Sequence, residues 1–431
     1  IVDIDQDYSL YGILITSSSY SNGCNAGYTS FTSTVDNDSR QHRSLLHVFS
    51  AGNAGTTDCG YGAGSGWGNI TGGHKAGKNV IAVANLTSND VIASSSSRGP
   101  AADGRIKPDV GAVGTNVYST IDPHTYGLKT GTSMSCPGVS GTLSVLYDAY
   151  MKNNAGAKPE GGLMKAILMN TCEDLGNPGP DFIYGYGRVN AMYAIEAIED
   201  NHFTSDSVIN GQTKTFSITV PDQTKELKAM VYWVDPSGSL IASRKLVNDL
   251  DVTVTAPNGT VYQPWVLNPN PTVANLSSNA VRAVDSLNNA EQITLLDPAA
   301  GVYTVTVNAS SIPFSGQEYF ITWQFVKNEM SFAWPVGGES VVPFQPEVIR
   351  WHAPAGTSPF TIEMSLNGGS SWVTLSSNVS ANTRLFNWTS PPSATIGNAQ
   401  IRISRNGQSI VSNPFNIISM PNNLTVDYIC P

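Results

Sequence analysis

Gly131–Thr132–Ser133–Met134–Ser135–Cys136–Pro137 opens a run in which Val139, Leu143, Leu146, Tyr147 and Tyr150 recur on one helical face. A serine at a helix start lies beside unpaired backbone N–H groups and the positive end of the helix dipole, and both favour developing negative charge. Ser133 therefore reads as a nucleophile or as part of an anion site, the alternative being an ordinary capped helix. Pro137 is expected early enough in the helix for its missing N–H to cost no hydrogen bond. Gly138 and Gly141 are expected to let the helix pack closely on a sheet.

Working outward, Gly12–Thr16, Leu45–Phe49 and Val80–Ala84 are short continuous apolar runs, the pattern of strands buried on both faces of a parallel sheet. Helical spacing returns in Leu163, Ala166, Ile167 and Asn170, and again in Ala191, Ala194, Ile195 and Ile198. Residues 1–200 are thus predicted to be α/β, a parallel sheet with helices on both faces. The stretch Phe49–Ser50–Ala51–Gly52–Asn53 follows one of these strands. Ligand sites collect at the carboxyl ends of such strands, and a side-chain amide there can donate to an oxyanion.

After Asp200 the texture changes. Phe216–Val220, Lys228–Val234, Val252–Ala256, Tyr303–Ala309 and Tyr319–Val326 alternate or are β-branched and aromatic, with turns such as Pro257–Asn258–Gly259 between them. Residues 205–328 are expected to be an all-β domain, a sandwich or jelly roll. A further all-β unit is expected over 331–420, with a hairpin of Thr361–Leu366 and Ser371–Leu375 turned by Asn367–Gly368–Gly369. Residues 421–431 read as the first strand of another domain.

The 431 residues carry a net charge of −10 and only 13% charged side chains. That balance leaves no basic patch to displace counterions, so a nucleic-acid partner and an anionic membrane surface are disfavoured. No apolar run reaches the ~18–20 residues that span a bilayer. Of the five cysteines, Cys136 and Cys172 fall in apolar helical patterns and read as buried thiols. Cys24 and Cys59 lie in Gly/Asn-rich loops, where a mutual disulfide is one open pairing, and Cys430 lies near the end of the sequence.

Taken together, the motifs resemble the subtilisin-like (subtilase) serine peptidase family, in the branch that carries a β-barrel or jelly-roll domain after the catalytic domain. The stretch around Ser133 is similar to the family's G-T-S-M-x-x-P nucleophile signature, and Ser50–Asn53 resembles its oxyanion-asparagine motif. Between them, Ser97–Arg98–Gly99–Pro100 and Asp103–Gly104–Arg105–Ile106–Lys107–Pro108–Asp109–Val110 resemble the segment that precedes the nucleophile. The order of the motifs and the separation of Asn53 from Ser133 (133 − 53 = 80 residues) also suit the family.

The resemblance implies peptide hydrolysis through an acyl-enzyme on Ser133, with Asn53 and the Ser133 N–H holding the oxyanion. It implies a substrate-binding edge at Ile13–Ser17, leading to Ser19, Tyr20 and Ser21, on which substrate adds as a strand. Tyr20 would border the S1 and S4 pockets, Ser50, Ala51 and Gly52 would form one S1 wall, and Thr132 would adjoin the substrate. Ser18–Gly23 departs from the usual Ser-x-Gly pattern there. No cofactor is needed for this chemistry, the partners are protein or peptide substrates, and the setting is a secreted, extracellular bacterial enzyme.

The family order is Asp, His, Asn, Ser. Neither His42 nor His47 has the family's His-Gly context, and the aspartates before Asn53 lack its Asp-Ser/Thr-Gly context. The expectation is that the catalytic Asp and His lie upstream of residue 1 and that these 431 residues alone are inactive. Asp249 and Asp251 alternate on one strand face and are candidate calcium ligands, with Asp285–Glu291 a second acidic cluster. Residues 331–420 resemble the immunoglobulin-like modules of secreted bacterial hydrolases, which leaves surface or glycan contact open. The competing reading is a non-catalytic secreted adhesin or binding protein with a degenerate protease domain.

Overall fold

A computed structural model describes residues 4–20, 22–24, 27–354, 356–389, 391–392 and 396–418. Ser21, Cys430 and the strand expected at 421–431 lie outside them. The chain divides into two compact units, 1–326 and 327–431.

The first unit begins with a parallel sheet of β1 (Ile15–Ser18), β2 (Leu46–Ser50), β3 (Ile81–Leu86) and β4 (Val110–Val113), in that order. Its register pairs Thr16 with His47, Val48 with Ile81 and Val83 with Val110. Side chains alternate across a strand. Leu46, Val48, Ile81 and Val83 therefore join one core with Cys136, Val139, Leu143 and Leu146, while Phe49 turns the other way onto Val35. Those two faces carry α3 (Thr132–Asn153) and α2 (Ser30–Gln41) respectively. α1 (Ile4–Tyr11) precedes β1, and β5 (Val117–Ile121) and β6 (Thr125–Lys129) form a hairpin ahead of α3. The predicted strands are present with ends shifted by one to three residues.

Two expectations about α3 are corrected. Gly138 and Gly141 are exposed, with open space where a Cβ would stand, so they do not admit the sheet. The sheet is met instead by Cys136, Val139, Ser140, Leu143, Leu146 and Tyr147. Pro137 is the sixth residue of the helix, beyond the four N–H groups that lack partners anyway. Its missing N–H would have served the carbonyl of Ser133.

α4 (Gly161–Asn170) is buried on every side, and α5 (Ala191–Glu199) packs on α3. A Cβ on Gly161 would stand 2.4 Å from the Leu45 carbonyl oxygen, and one on Gly162 would stand 2.6 Å from the Phe320 ring. The two glycines thus let one helix pass between the parallel sheet and an all-β layer. That layer has strands β7 (Phe203–Val208), β8 (Thr213–Val220), β9 (Thr224–Tyr232), β10 (Asp249–Thr255), β11 (Val261–Tyr262), β12 (Trp265–Val266), β13 (Val281–Arg282), β14 (Ala290–Leu296), β15 (Gly301–Ser311) and β16 (Gln317–Lys327). Two antiparallel four-stranded sheets, β11–β10–β15–β8 and β14–β9–β16–β7, enclose a core that includes Leu227, Trp233, Val254, Val305 and Ile321.

The second unit also has two sheets. Ser331–Trp334, Glu347–His352 and Leu385–Trp388 form one, and a larger sheet holds the hairpin Phe360–Ser365 and Val373–Val379. Trp351, Phe360, Ile401 and Phe415 are in its core.

Candidate active site

Ser133 is the second residue of α3, and its carbonyl, freed by Pro137, accepts a hydrogen bond from the Ser19 hydroxyl at 2.9 Å. The Ser133 hydroxyl donates back to the Ser19 carbonyl at 3.4 Å. The loop after β1 and the start of α3 are therefore fastened by two reciprocal contacts. Below them, Cys136 is buried, with Sγ 3.5 Å from the Val48 carbonyl and 3.7 Å from the Ser17 hydroxyl. Burial raises its thiol above the ordinary range, which suits a packing role.

Asn53 meets the same helix start from the end of β2. Its Oδ1 accepts from the Thr132 backbone N–H and from the Thr132 hydroxyl, both at 3.0 Å. The Thr132 Oγ1 in turn accepts from the Gly52 N–H at 3.2 Å. A backbone N–H can only donate, so the carboxamide must present oxygen to Thr132 and keep its NH2 for the exposed side. A Cβ on Gly131 would stand 3.3 Å from that NH2, so glycine keeps its surroundings open. The arrangement is a helix N-terminus with an adjacent, oriented amide donor, which can stabilise an oxyanion formed at Ser133.

Around these groups, Tyr20 is 44% exposed, stands edge-on to Phe49 and reaches His74 Nδ1 at 3.4 Å. Removal from water raises the Tyr20 phenol and lowers the His74 imidazole. Ser50, Ala51 and Gly52 are buried. Sequence reasoning missed Lys75, and singled out Ser97 within the Ser97–Pro100 stretch without placing it at this site. A Cβ on Gly52 would stand 2.8 Å from Lys75 Nζ and 2.9 Å from Ser97 Oγ. Lys75 is 3% exposed, and burial lowers its ammonium to about 8. Nothing in a glycine-rich stretch signals a buried lysine.

Every histidine before Asn53 is engaged away from Ser133. His47 Nδ1 is 2.7 Å from Thr16 Oγ1 inside the sheet, and His42 Nε2 is 2.6 Å from Asp5 Oδ1. Cys24 and Cys59 form a disulfide that ties the loop after Tyr20 to the loop after Asn53.

The acidic pair in the β layer has other partners. Arg244 approaches Asp249 Oδ2 at 3.2 Å, Ser310 donates to Asp251, and among the described residues no three His, Cys, Asp or Glu side chains converge to hold a metal. Asp249 Oδ1 itself has no hydrogen-bond partner among the described residues.

Comparison with known proteins gives a match to the Subtilase family over residues 9–187. The chain is 26% identical over 260 residues to the serine protease/ABC transporter B family protein tagA of Dictyostelium discoideum, covering 52% of the chain and 15% of that protein. It is 30% identical over 182 residues to the minor extracellular protease Vpr of Bacillus subtilis, covering 39% and 21%. It is 33% identical over 144 residues to the C5a peptidase of Streptococcus pyogenes, covering 31% and 12%. The chain thus spans about a fifth or less of the length of these relatives. Among solved structures, a mutant of the protease domain of PatA aligns with a TM-score of 0.37 and 18% identity, over 46% of this chain and 63% of that one. No described helix is long and apolar enough to cross a membrane.

Proposed function

Residues 9–187 belong to the subtilase family, and from that premise we propose that the chain is part of a secreted serine endopeptidase, with Ser133 as nucleophile and Asn53 in the oxyanion hole. The observation that carries this reading is the clamp on Asn53: its oxygen is fixed to Thr132, so its NH2 is committed to donation beside Ser133. Ser133 Oγ attacks the scissile carbonyl, the Asn53 NH2 and the Ser133 N–H receive the oxyanion, the amine leaves, and water resolves the acyl-enzyme. Substrate lies along β1, with Ser19 and Tyr20 beside it and Ser50, Ala51, Gly52 and Thr132 shaping the pocket.

In this reading the catalytic Asp and His belong to sequence before Ile1. Its support is that His42 and His47 are bonded elsewhere. Residues 1–200 would be the C-terminal part of the catalytic domain, 205–328 a jelly roll and 331–420 an immunoglobulin-like module.

The test uses a chain extended upstream to supply the Asp and His, with a chromogenic peptide. Ser133→Ala is expected to abolish turnover and labelling by a serine-directed phosphonate. Asn53→Ala is expected to lower kcat by roughly 10²–10³-fold with KM little changed, since that bond is made chiefly in the transition state. A rise in KM alone would overturn the oxyanion role. The 431-residue chain by itself is expected to show no efficient hydrolysis, because His42 and His47 are bonded elsewhere and do not serve Ser133 as a general base.

A further inference from the structure

With Ser133 as nucleophile, the residue before the scissile bond turns its side chain between two walls, the loop after β1 and the stretch Ser50–Gly52. Whatever stands at the floor between those walls is what that side chain meets.

The floor carries a charge. On the first wall, Lys75 Nζ donates to the Gly23 carbonyl at 3.3 Å. On the second, it stands 2.8 Å from where a Gly52 Cβ would be, and Ser97 Oγ stands 2.9 Å from the same point. An ammonium lodged against both walls closes the space between them. Ser97 is fastened beside it: its N–H donates to the Gly52 carbonyl at 2.8 Å, and its Oγ accepts from the Ala54 N–H at 3.0 Å. Gly52 and Asn53 are chain neighbours, with Cα atoms ~3.8 Å apart. The ammonium is thus about one residue's reach from the amide proposed to receive the oxyanion.

The turn His74–Ala76 that carries the lysine is anchored on its surroundings. His74 stacks on Phe49 of β2 with ring centroids 5.4 Å apart, and meets Tyr20 edge-on at 5.5 Å. The Ala76 carbonyl accepts from Arg105 Nη2 at 2.8 Å. Lys75 itself is 3% exposed. A carbonyl offers such an ammonium a dipole, whereas a carboxylate offers a full opposite charge where water is excluded and charge counts most. An apolar side chain offers it nothing, and a cationic one repels it.

We propose, on the reading of Ser133 as nucleophile, that Lys75 is a specificity residue selecting substrates with glutamate, and less strongly aspartate, immediately before the scissile bond. The substrate carboxylate accepts from Lys75 Nζ, beside the Ser97 hydroxyl. Glutamate leads because its extra methylene carries the charge closer to the floor.

The experiment compares chromogenic peptides that differ only in that residue, on the chain extended upstream. Glutamate is expected to exceed glutamine, its uncharged counterpart, at least about tenfold in kcat/KM, with arginine the poorest. Lys75→Met keeps the stem and drops the charge, so it should bring the glutamate-to-glutamine ratio down to about one. A ratio near one in the unaltered protein, or a preference that survives Lys75→Met, would overturn the proposal and leave Lys75 a tie between the walls. The first comparison needs no variant, so it decides even where Lys75→Met does not fold. Turnover without preference removes the role of Lys75 alone, whereas turnover that survives Ser133→Ala removes the catalytic reading. Binding is read apart from catalysis by calorimetry on the 431-residue chain, which needs no general base for it. Acetylated tripeptide amides ending in glutamate or glutamine should differ at least about fivefold in affinity. Equal affinity, or no heat at about 10 mM peptide, would overturn the proposal whatever becomes of the nucleophile.

Discussion

Around Ser133 the polar groups are hydroxyls and one carboxamide at an exposed corner. Behind α4, where the α/β layers meet the all-β layer, they are lysines and aspartates sealed from water. Lys78 and Asp235 are both 0% exposed as side chains; Lys78 binds Asp235 and also donates to the carbonyls of Pro236 at 2.5 Å and Lys245 at 2.6 Å. Asp109 takes Lys107 at 2.5 Å and Lys165 at 3.0 Å. The corner is held by hydrogen bonds between uncharged groups. The seam is held by charges whose removal from water is tolerable only because each has several partners. The contrast teaches that the sealed ion pairs mark a structural joint, while the contacts that hold Ser133 and Asn53 run between uncharged groups.

The strongest test of that contrast is Asp235→Ala. It strands the buried Lys78 ammonium and removes the acceptor of the Val247 and Asn248 N–H groups, which now donate to Asp235 at 2.9 and 2.8 Å. A loss of about 3–5 kcal/mol in denaturant unfolding is expected. A loss below about 1 kcal/mol would mean that water reaches the seam.

At the corner, the largest stability effect should come from Cys24→Ser with Cys59→Ser. The cross-link closes a separation of 35 residues, so its removal is expected to cost roughly 2–4 kcal/mol. It should also loosen the two loops beside Ser133, read as faster amide exchange there than in β3.

Titration sharpens the comparison further. Burial, with Lys165 and Arg105 adding like charge, pushes Lys107 down to about 7, although Asp109 opposes it. Its folded pKa lies below the 10.5 of an ordinary lysine, so between about pH 7 and 10 the unfolded chain binds more protons. Stability from this group therefore rises with pH across that window. Lys107→Met should flatten the rise, measured by urea midpoints at several pH values. An unchanged slope would assign the response to another group.

The smallest effect expected is from calcium. With Asp249 and Asp251 bonded to Arg244 and Ser310, melting temperatures in calcium and in chelator should agree within about two degrees. A larger shift would show that these side chains rearrange around the ion.

Much of the first unit was legible in sequence, because continuous apolar runs and a 3.6-residue repeat report burial directly. Ser133 and Asn53 were legible for another reason: each sits in a short contiguous motif beside a strand or helix end. β14 was not, since its buried Glu291 and Gln292 break the apolar pattern and read as part of an acidic turn. Nor were Lys78, Lys107 and Lys165, because each also bonds a carbonyl 27 to 167 residues away along the chain, and without that knowledge a lysine looks like surface. Pro137 misled by its position: it was expected early enough in the helix for its missing N–H to cost no hydrogen bond, and the structure places it sixth, in the second turn.

That turn makes the proposed nucleophile a latch. With no N–H from Pro137, the Ser133 carbonyl is moored to Ser19, so the first turn of α3 answers to the strand it touches more than to the helix it begins. A peptide laid along β1 would tug the very loop that holds the mooring. Grip on the substrate and the aim of the hydroxyl are then a single mechanical event, and slack in one is slack in the other.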